Sequence, residues 1–189
     1  MLGGNVLLKW LGETGKNNLL AAAVAISVPF NLHKTVKLLE KGFSRIYDWH
    51  FLKSLKKKIQ YKLQRHPLPI TDEVKNIKSL YEFDDKVTAP LHGFKDAMDY
   101  YSKSSSQQYL DNVLVPTLLI HAKDDPFTSN DFELSSNELS NSITLEFTKC
   151  GGHVGFVSGY FPWKARYWLE ERVLGFISQQ LEYKLECER

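Results

Sequence analysis

Two short clusters in this chain of 189 residues are equipped for chemistry: Asp124-Asp125-Pro126 and Gly151-Gly152-His153. A carboxylate held beside an imidazole fixes its tautomer and stabilises its protonated form. The imidazole can then act as a general base toward a hydroxyl nucleophile. The glycines before His153 permit a tight turn that brings the ring back over the preceding strand. Singly, each cluster has a plainer reading, since Asp-Asp-Pro is a frequent turn and cap sequence and Gly-Gly-His an ordinary loop. Each, however, directly follows an apolar, strand-like run, with one helix and one strand fitting between them. That order favours the acid and then the base of a Ser-Asp/Glu-His triad. Ligand-binding residues of open parallel sheets stand at such strand ends.

The elements that must position these residues can be read from periodicity. Residues 2–13 carry Val6, Leu7, Trp10 and Leu11 at helical spacing, with Gly12 and Gly15 as stops. Ala21 to Val28 is a continuous apolar run closed by Pro29, which predicts a strand buried on both faces of a parallel sheet. Val113 to His121 repeats that signature. Ser142 to Phe147 alternates polar and apolar, as a half-exposed strand near a sheet edge does. Tyr167 to Leu185 predicts an amphipathic helix with Trp168, Val173, Phe176, Ile177 and Leu181 inward. Between the first two strands, helices are expected over His33 to Trp49, Phe51 to Arg65 and Phe94 to Tyr101, the second broken by His66-Pro67-Leu68-Pro69. An insertion of that length is a subdomain rather than a loop. Strands alternating with helices give an α/β fold.

Composition narrows the function classes. Apolar residues make up 43% and charged residues 24%, with a net charge of only +2, so neither disorder nor general nucleic-acid binding is indicated. Cys150 and Cys187 lack metal or redox spacing, which suits a reduced, cytoplasmic protein without a structural disulfide. The apolar run from Leu19 to Phe30 is shorter than the ~20 residues of a membrane helix and lacks the flanks of a secretory signal. His33, His50, His66, His92 and His121 share no metal-type spacing. No metal or cofactor is expected. His121 ends a strand close to Asp125 and is either a lining residue or a core histidine. Asp84 and Asp85 read as caps of the next segment. Phe156, Phe161, Trp163 and Trp168 either wall an acyl pocket or pack the core. Lys53 to Arg65 is basic, with Leu52, Leu55, Ile59 and Leu63 as an apolar stripe. Its plain reading is a solvated cationic face; the functional one is peripheral contact with anionic membranes or lipid substrates.

The N-terminus bears on the nucleophile. A triad serine sits in a strand, Gly-x-Ser-x-Gly, helix elbow. The chain opens Met1-Leu2-Gly3-Gly4-Asn5 and enters a helix at once. If Gly3 is the elbow's last glycine, the serine position falls on Met1, and the strand feeding the elbow precedes the sequence.

Leu2-Gly-Gly-Asn5, Glu40-Lys-Gly-Phe-Ser-Arg45, Glu82-Phe-Asp-Asp85, Thr88-Ala-Pro90, His92-Gly-Phe94, Asp99-Tyr-Tyr101, Ile120 through Phe127 and Gly151 through Phe156 together resemble the bacterial YheT-type esterases, relatives of the eukaryotic ABHD lipases and esterases. The resemblance spans essentially the whole chain. It implies the C-terminal part of an α/β-hydrolase fold: a mostly parallel sheet flanked by helices over 1–189, with a helical cap inserted at 30–110. It further implies ester hydrolysis through an acyl-enzyme, with short-chain or lipid-like esters as substrates. Asp125 maps to the triad acid, with Asp124 as the alternative, and His153 to the base. The Leu2 N–H maps to one oxyanion donor. The family's elbow pattern, Gly-Phe-Ser-Leu-Gly-Gly-Asn, aligns its serine with Met1. A thioether has no proton for His153 and forms no acyl ester, so these 189 residues alone are expected to be inactive. Without the elbow strand, the run Ala21 to Val28 is expected to leave an open, association-prone edge. Three readings compete: a truncated serine esterase, a non-catalytic remnant acting as a binding module, and another chemistry on the same fold.

Overall fold

The structure is a computed structural model that describes residues 2–70, 72–127, 134, 139–158 and 165–187. Along the chain run α1 (Leu2–Thr14), β1 (Ala23–Ile26), α2 (Leu32–Leu39), α3 (Arg45–Leu63), α4 (Leu80–Phe83), α5 (Ala89–Leu91), α6 (Ala97–Ser104), β2 (Thr117–Ala122), β3 (Ile143–Thr148), β4 (Val157–Ser158), β5 (Arg166–Tyr167) and α7 (Trp168–Cys187). They form two compact units, one of residues 1–30 with 106–189, the other of residues 31–105.

The first unit is built on a parallel sheet in the order β1-β2-β3. All six residues of β2 are buried, as a central strand requires. Their side chains alternate between two cores. Leu119 joins Leu8, Ala25, Val28, Phe30 and Leu110 on the α1 side. Leu118, Ile120 and Ala122 join Phe156 and Phe176 on the α7 side. Each fully buried leucine or isoleucine contributes about 1.5–3 kcal/mol relative to exposure. β3 is a half-exposed strand at the edge of the described sheet, as expected, but its burial does not alternate cleanly: Ile143, Leu145 and Glu146 are half-buried, while Thr144 and the apolar Phe147 are exposed.

The N-terminal helix is rotated from the face its apolar spacing suggests, with Leu11 buried and Leu7 half-buried as expected but the other two apolar positions turned outward. Asn5, Leu8 and Leu11 are buried, whereas Val6 and Trp10 are exposed. The cause lies in the glycines. A Cβ on Gly4 would stand 2.5 Å from Val28 Cγ2, and one on Gly12 would stand 2.3 Å from the Tyr109 carbonyl oxygen. Close approach needs positions without side chains, and Gly4 and Gly12 supply them two helical turns apart, with the buried Leu8 between them on the same face. Gly12 is therefore internal to α1, and the helix ends before Gly15, which has φ +50°.

β1 is shorter than its apolar run, and only Ala23 and Ala25 are buried, with Val24 and Ile26 half-buried. Ser27, at φ +51°, turns the chain out of the strand. Among the described residues β1 pairs with β2 alone. β2 starts at Thr117 rather than Val113, because Pro116 has no N–H to give the ladder; its carbonyl still accepts from Ala23 N at 2.9 Å.

Two hydrogen bonds close the first unit where the chain departs at Phe30 and returns at Ser106. Asn5 Oδ1 accepts from Ser106 N at 2.8 Å, and Phe30 O accepts from Gln107 N at 3.2 Å.

The second unit is helical. The Asn31 side chain caps α2 by accepting from Lys34 N. The interruption expected after Trp49 falls earlier, between α2 and α3, where Gly42 takes φ +55°, and α3 runs unbroken to Leu63. Leu52 and Ile59 are buried and Leu55 and Leu63 half-buried, so the predicted stripe faces inward. A π-helical turn over Asp84–Thr88 links α4 to α5. Asp84 takes hydrogen bonds from the Thr88 and Tyr101 hydroxyls, while Asp85 accepts from Ala97 N at 3.0 Å and so helps cap α6. That helix spans Ala97–Ser104, a few residues later than its sequence signal, because Asp96 is its N-cap.

Candidate active site

The carboxyl ends of β2 and β3 bring the two sequence clusters together. β2 ends at Ala122, and the turn that follows carries Asp124 and Asp125, with Asp125 N donating to Ala122 O at 3.3 Å. Asp125 Oδ2 lies 2.9 Å from His153 Nδ1. The acid's side chain is fully buried and the imidazole's is 19% exposed. Asp125 Oδ1 accepts from Phe127 N at 2.9 Å. Pro126 between them has no N–H, so the first donor the turn offers is that of Phe127. Both carboxylate oxygens are thus engaged. An ionised carboxylate only accepts, so Nδ1 carries the proton and Nε2 is left as the basic nitrogen.

The glycines act as expected. Gly152 has φ +58°, and a Cβ on Gly151 would lie 2.7 Å from the Phe156 ring and 3.0 Å from Ala122 Cβ. The turn is tied down by a residue that sequence reasoning held as the alternative acid. Asp124 Oδ1 accepts from both Gly151 N and Gly152 N, each at 2.9 Å. The adjacent aspartates therefore divide the work: one grips the loop, the other the ring. The Phe127 ring meets His153 edge-on at 4.8 Å and 79°, a contact with no sequence signal beyond its nearness to Asp125.

His121 is wholly buried, on the same face of β2 as Leu119, with its ring 5.0 Å from that of Phe30 and 6.2 Å from that of Phe147. Burial lowers its pKa to about 4, with Asp125 opposing the shift and His153 reinforcing it. It is a core histidine, neutral at neutral pH. Phe156 is buried and stacks on Trp168 at 6.1 Å, so these two pack the core, while Phe161 and Trp163 lie outside the described residues.

Leu2 opens α1. Gly4 packs on Val28, just beyond the carboxyl end of β1, whereas Leu11 packs with Ala23, Val113 and Val115 at the other end of the strands. The helix therefore runs against the strands, and its N-terminus, with unsatisfied N–H groups, lies at the same rim as Asp125 and His153. Ser27, buried and left-handed, is at that rim too. Met1 and the helix expected between Asp125 and β3 lie outside the described residues. Among the described residues no group of three His, Cys, Asp or Glu is arranged to hold a metal ion. No helix among them is long and apolar enough to cross a membrane.

A buried acid, an imidazole and a helix N-terminus along one edge of a parallel sheet accord with the match of residues 2–160 to the family model of the alpha/beta hydrolase fold. The chain belongs to that family. Within the alpha/beta hydrolases it is 39% identical over 186 residues to YheT of Escherichia coli (strain K12), an esterase by name, covering 97% of this chain and 54% of the relative. It is 30% identical over 171 residues to the phospholipase ABHD3 of Mus musculus, covering 88% of this chain and 41% of the relative. It is 27% identical over 184 residues to the monoacylglycerol lipase of Saccharomyces cerevisiae, covering 93% of this chain and 40% of the relative. The chain thus spans about half the length of the curated relatives it matches.

Proposed function

We propose that these residues supply the acid and base of a serine carboxylic-ester hydrolase, with Asp125 orienting His153. The observation that carries this reading is the 2.9 Å contact between His153 Nδ1 and a buried Asp125 carboxylate whose other oxygen is held by Phe127 N. His153 Nε2 then takes the proton of a serine hydroxyl as its oxygen attacks the ester carbonyl. The same nitrogen returns the proton to the leaving alcohol, and water cleaves the acyl-enzyme by the reverse sequence. The Leu2 N–H, at the positive end of α1, stabilises the oxyanion. The named relatives, an esterase, a phospholipase and a lipase, support small-molecule or lipid-like esters as substrates. The helical unit 31–105 corresponds in sequence to the cap insertion that the resemblance implies over 30–110.

On this reading the serine stands where Met1 does, so residues 1–189 alone do not turn over esters. The test is a fluorophosphonate probe applied to this chain and to a chimera in which the preceding residues of the Escherichia coli relative are joined to Leu2 through a serine. Labelling of the chimera at that serine, with none of the chain, is the expected result. Stoichiometric labelling of the 189-residue chain at a defined residue would overturn it.

A further inference from the structure

The second unit carries a surface that ester hydrolysis leaves unexplained. The outward side of α3 changes character along its length. Ile46 and Trp49 are 55% and 60% exposed, and Lys53 and Lys57 continue the same stripe at helical intervals. On the far flank of the same outward face, beyond exposed His50, Ser54 and Tyr61, exposed Phe51 is followed by Lys58 and Lys62. Phe43, in the turn just before the helix, is 75% exposed. From Trp49 to Ile70 there is no carboxylate, against six cations at Lys53, Lys56, Lys57, Lys58, Lys62 and Arg65. The helix's one acid, Asp48, is buried. Large apolar side chains gathered at one end of an exposed helix, with an acid-free run of cations following on the same sides, match the chemistry of an anionic bilayer surface. The rings enter the headgroup boundary and the ammonium groups meet the phosphates. Lys53 already lies over the Trp49 ring at 5.0 Å, so charge and aromatic work as one unit. On the flank of the helix a groove of about 680 Å³ is floored by Ile59, Phe83, Val87 and Leu91 beside Lys58 and Lys62, an arrangement suited to an acyl chain below an anionic headgroup.

We infer that Phe43 and the outward face of α3 form a docking surface for anionic lipid membranes. The solvated cationic face that is the plainer reading of Lys53 to Arg65 leaves exposed Phe43, Ile46 and Trp49 without a use. This surface lies wholly within residues 31–105 and does not depend on the roles of Asp125 and His153.

The full chain is sedimented with vesicles of phosphatidylcholine alone and of phosphatidylcholine mixed with phosphatidylglycerol, while tryptophan emission is recorded. The surface binds the mixed vesicles, shifts the emission to the blue and is released by salt. Replacing Lys53, Lys57 and Lys58 by Gln lowers partition about fivefold per cation. Trp49→Ser, with charge unchanged, lowers it at least about tenfold and removes most of the blue shift. These side chains are exposed, so the variants keep the wild-type melting curve, recorded alongside. Equal binding to both vesicle types, or wild-type partition by the triple Gln variant, overturns the inference. So does binding of soluble heparin with no change in emission on vesicles, which assigns the cations to polyanions instead.

Discussion

At the scale of single residues, two pairs of groups with nearly the same sequence signal do different jobs because of where their atoms end. Asp124 and Asp125 are neighbours, yet one carboxylate receives two loop N–H groups and the other an imidazole. His121 and His153 both follow from the strand-end pattern, yet one ring is sealed beside Phe30 and Phe147 and the other reaches the rim. The buried ring has a consequence for stability. In the unfolded chain His121 takes up a proton near its ordinary pKa of 6.5, whereas the folded protein resists it down to about 4. Its contribution is therefore fully present above pH 6.5 and is lost as the pH falls toward 4. Unfolding free energies measured at neutral and acid pH should fall more steeply for the wild type than for His121→Asn, by up to about 3 kcal/mol. Parallel curves would mean that His121 is protonated in the folded state.

At the scale of elements, the sheet positions the pair and the glycines set the helix distance. Gly12 and Gly175 both lie inside helices, but only Gly12 faces backbone, since a Cβ at Gly175 has nothing within 4 Å. Gly12→Ala is expected to destabilise by about 1–3 kcal/mol through overpacking against Tyr109. Gly175→Ala should stabilise by about 0.5–1 kcal/mol by restricting the unfolded chain and favouring the helix. Denaturant titrations of the two variants check both signs. The contrast also explains what the sequence could convey. The three strands, their parallel pairing and the Asp125–His153 juxtaposition follow from apolar runs and the short motifs that end them, because those signals are local. The inward face of α1 does not follow, since counting apolar side chains rewards Val6 and Trp10 and overlooks Gly4 and Gly12, whose use appears only with Val28 and Tyr109 beside them. The clip made by Asp124 and the ring contact of Phe127 are likewise invisible until two strands distant in sequence lie side by side.

At the scale of the molecule, the chain is a parallel three-stranded unit interrupted by a helical one, and it aligns with about half of each larger relative. Asp125, His153 and the start of α1 gather at one rim of the sheet, and on the reading proposed above a serine hydroxyl supplied there is activated by His153. In the chimera carrying a serine before Leu2, ester turnover by the Asp125→Asn and Asp124→Asn variants tests the division of labour most directly. Asp125→Asn leaves the fold intact but favours the wrong imidazole tautomer, so kcat should fall about 10⁴-fold. Asp124→Asn keeps an oxygen to accept from Gly151 and Gly152 and should cost no more than about tenfold. Turnover that survives the loss of the Asp125 carboxylate, or that collapses only with Asp124, would contradict the assignment of Asp125 as the acid partner of His153.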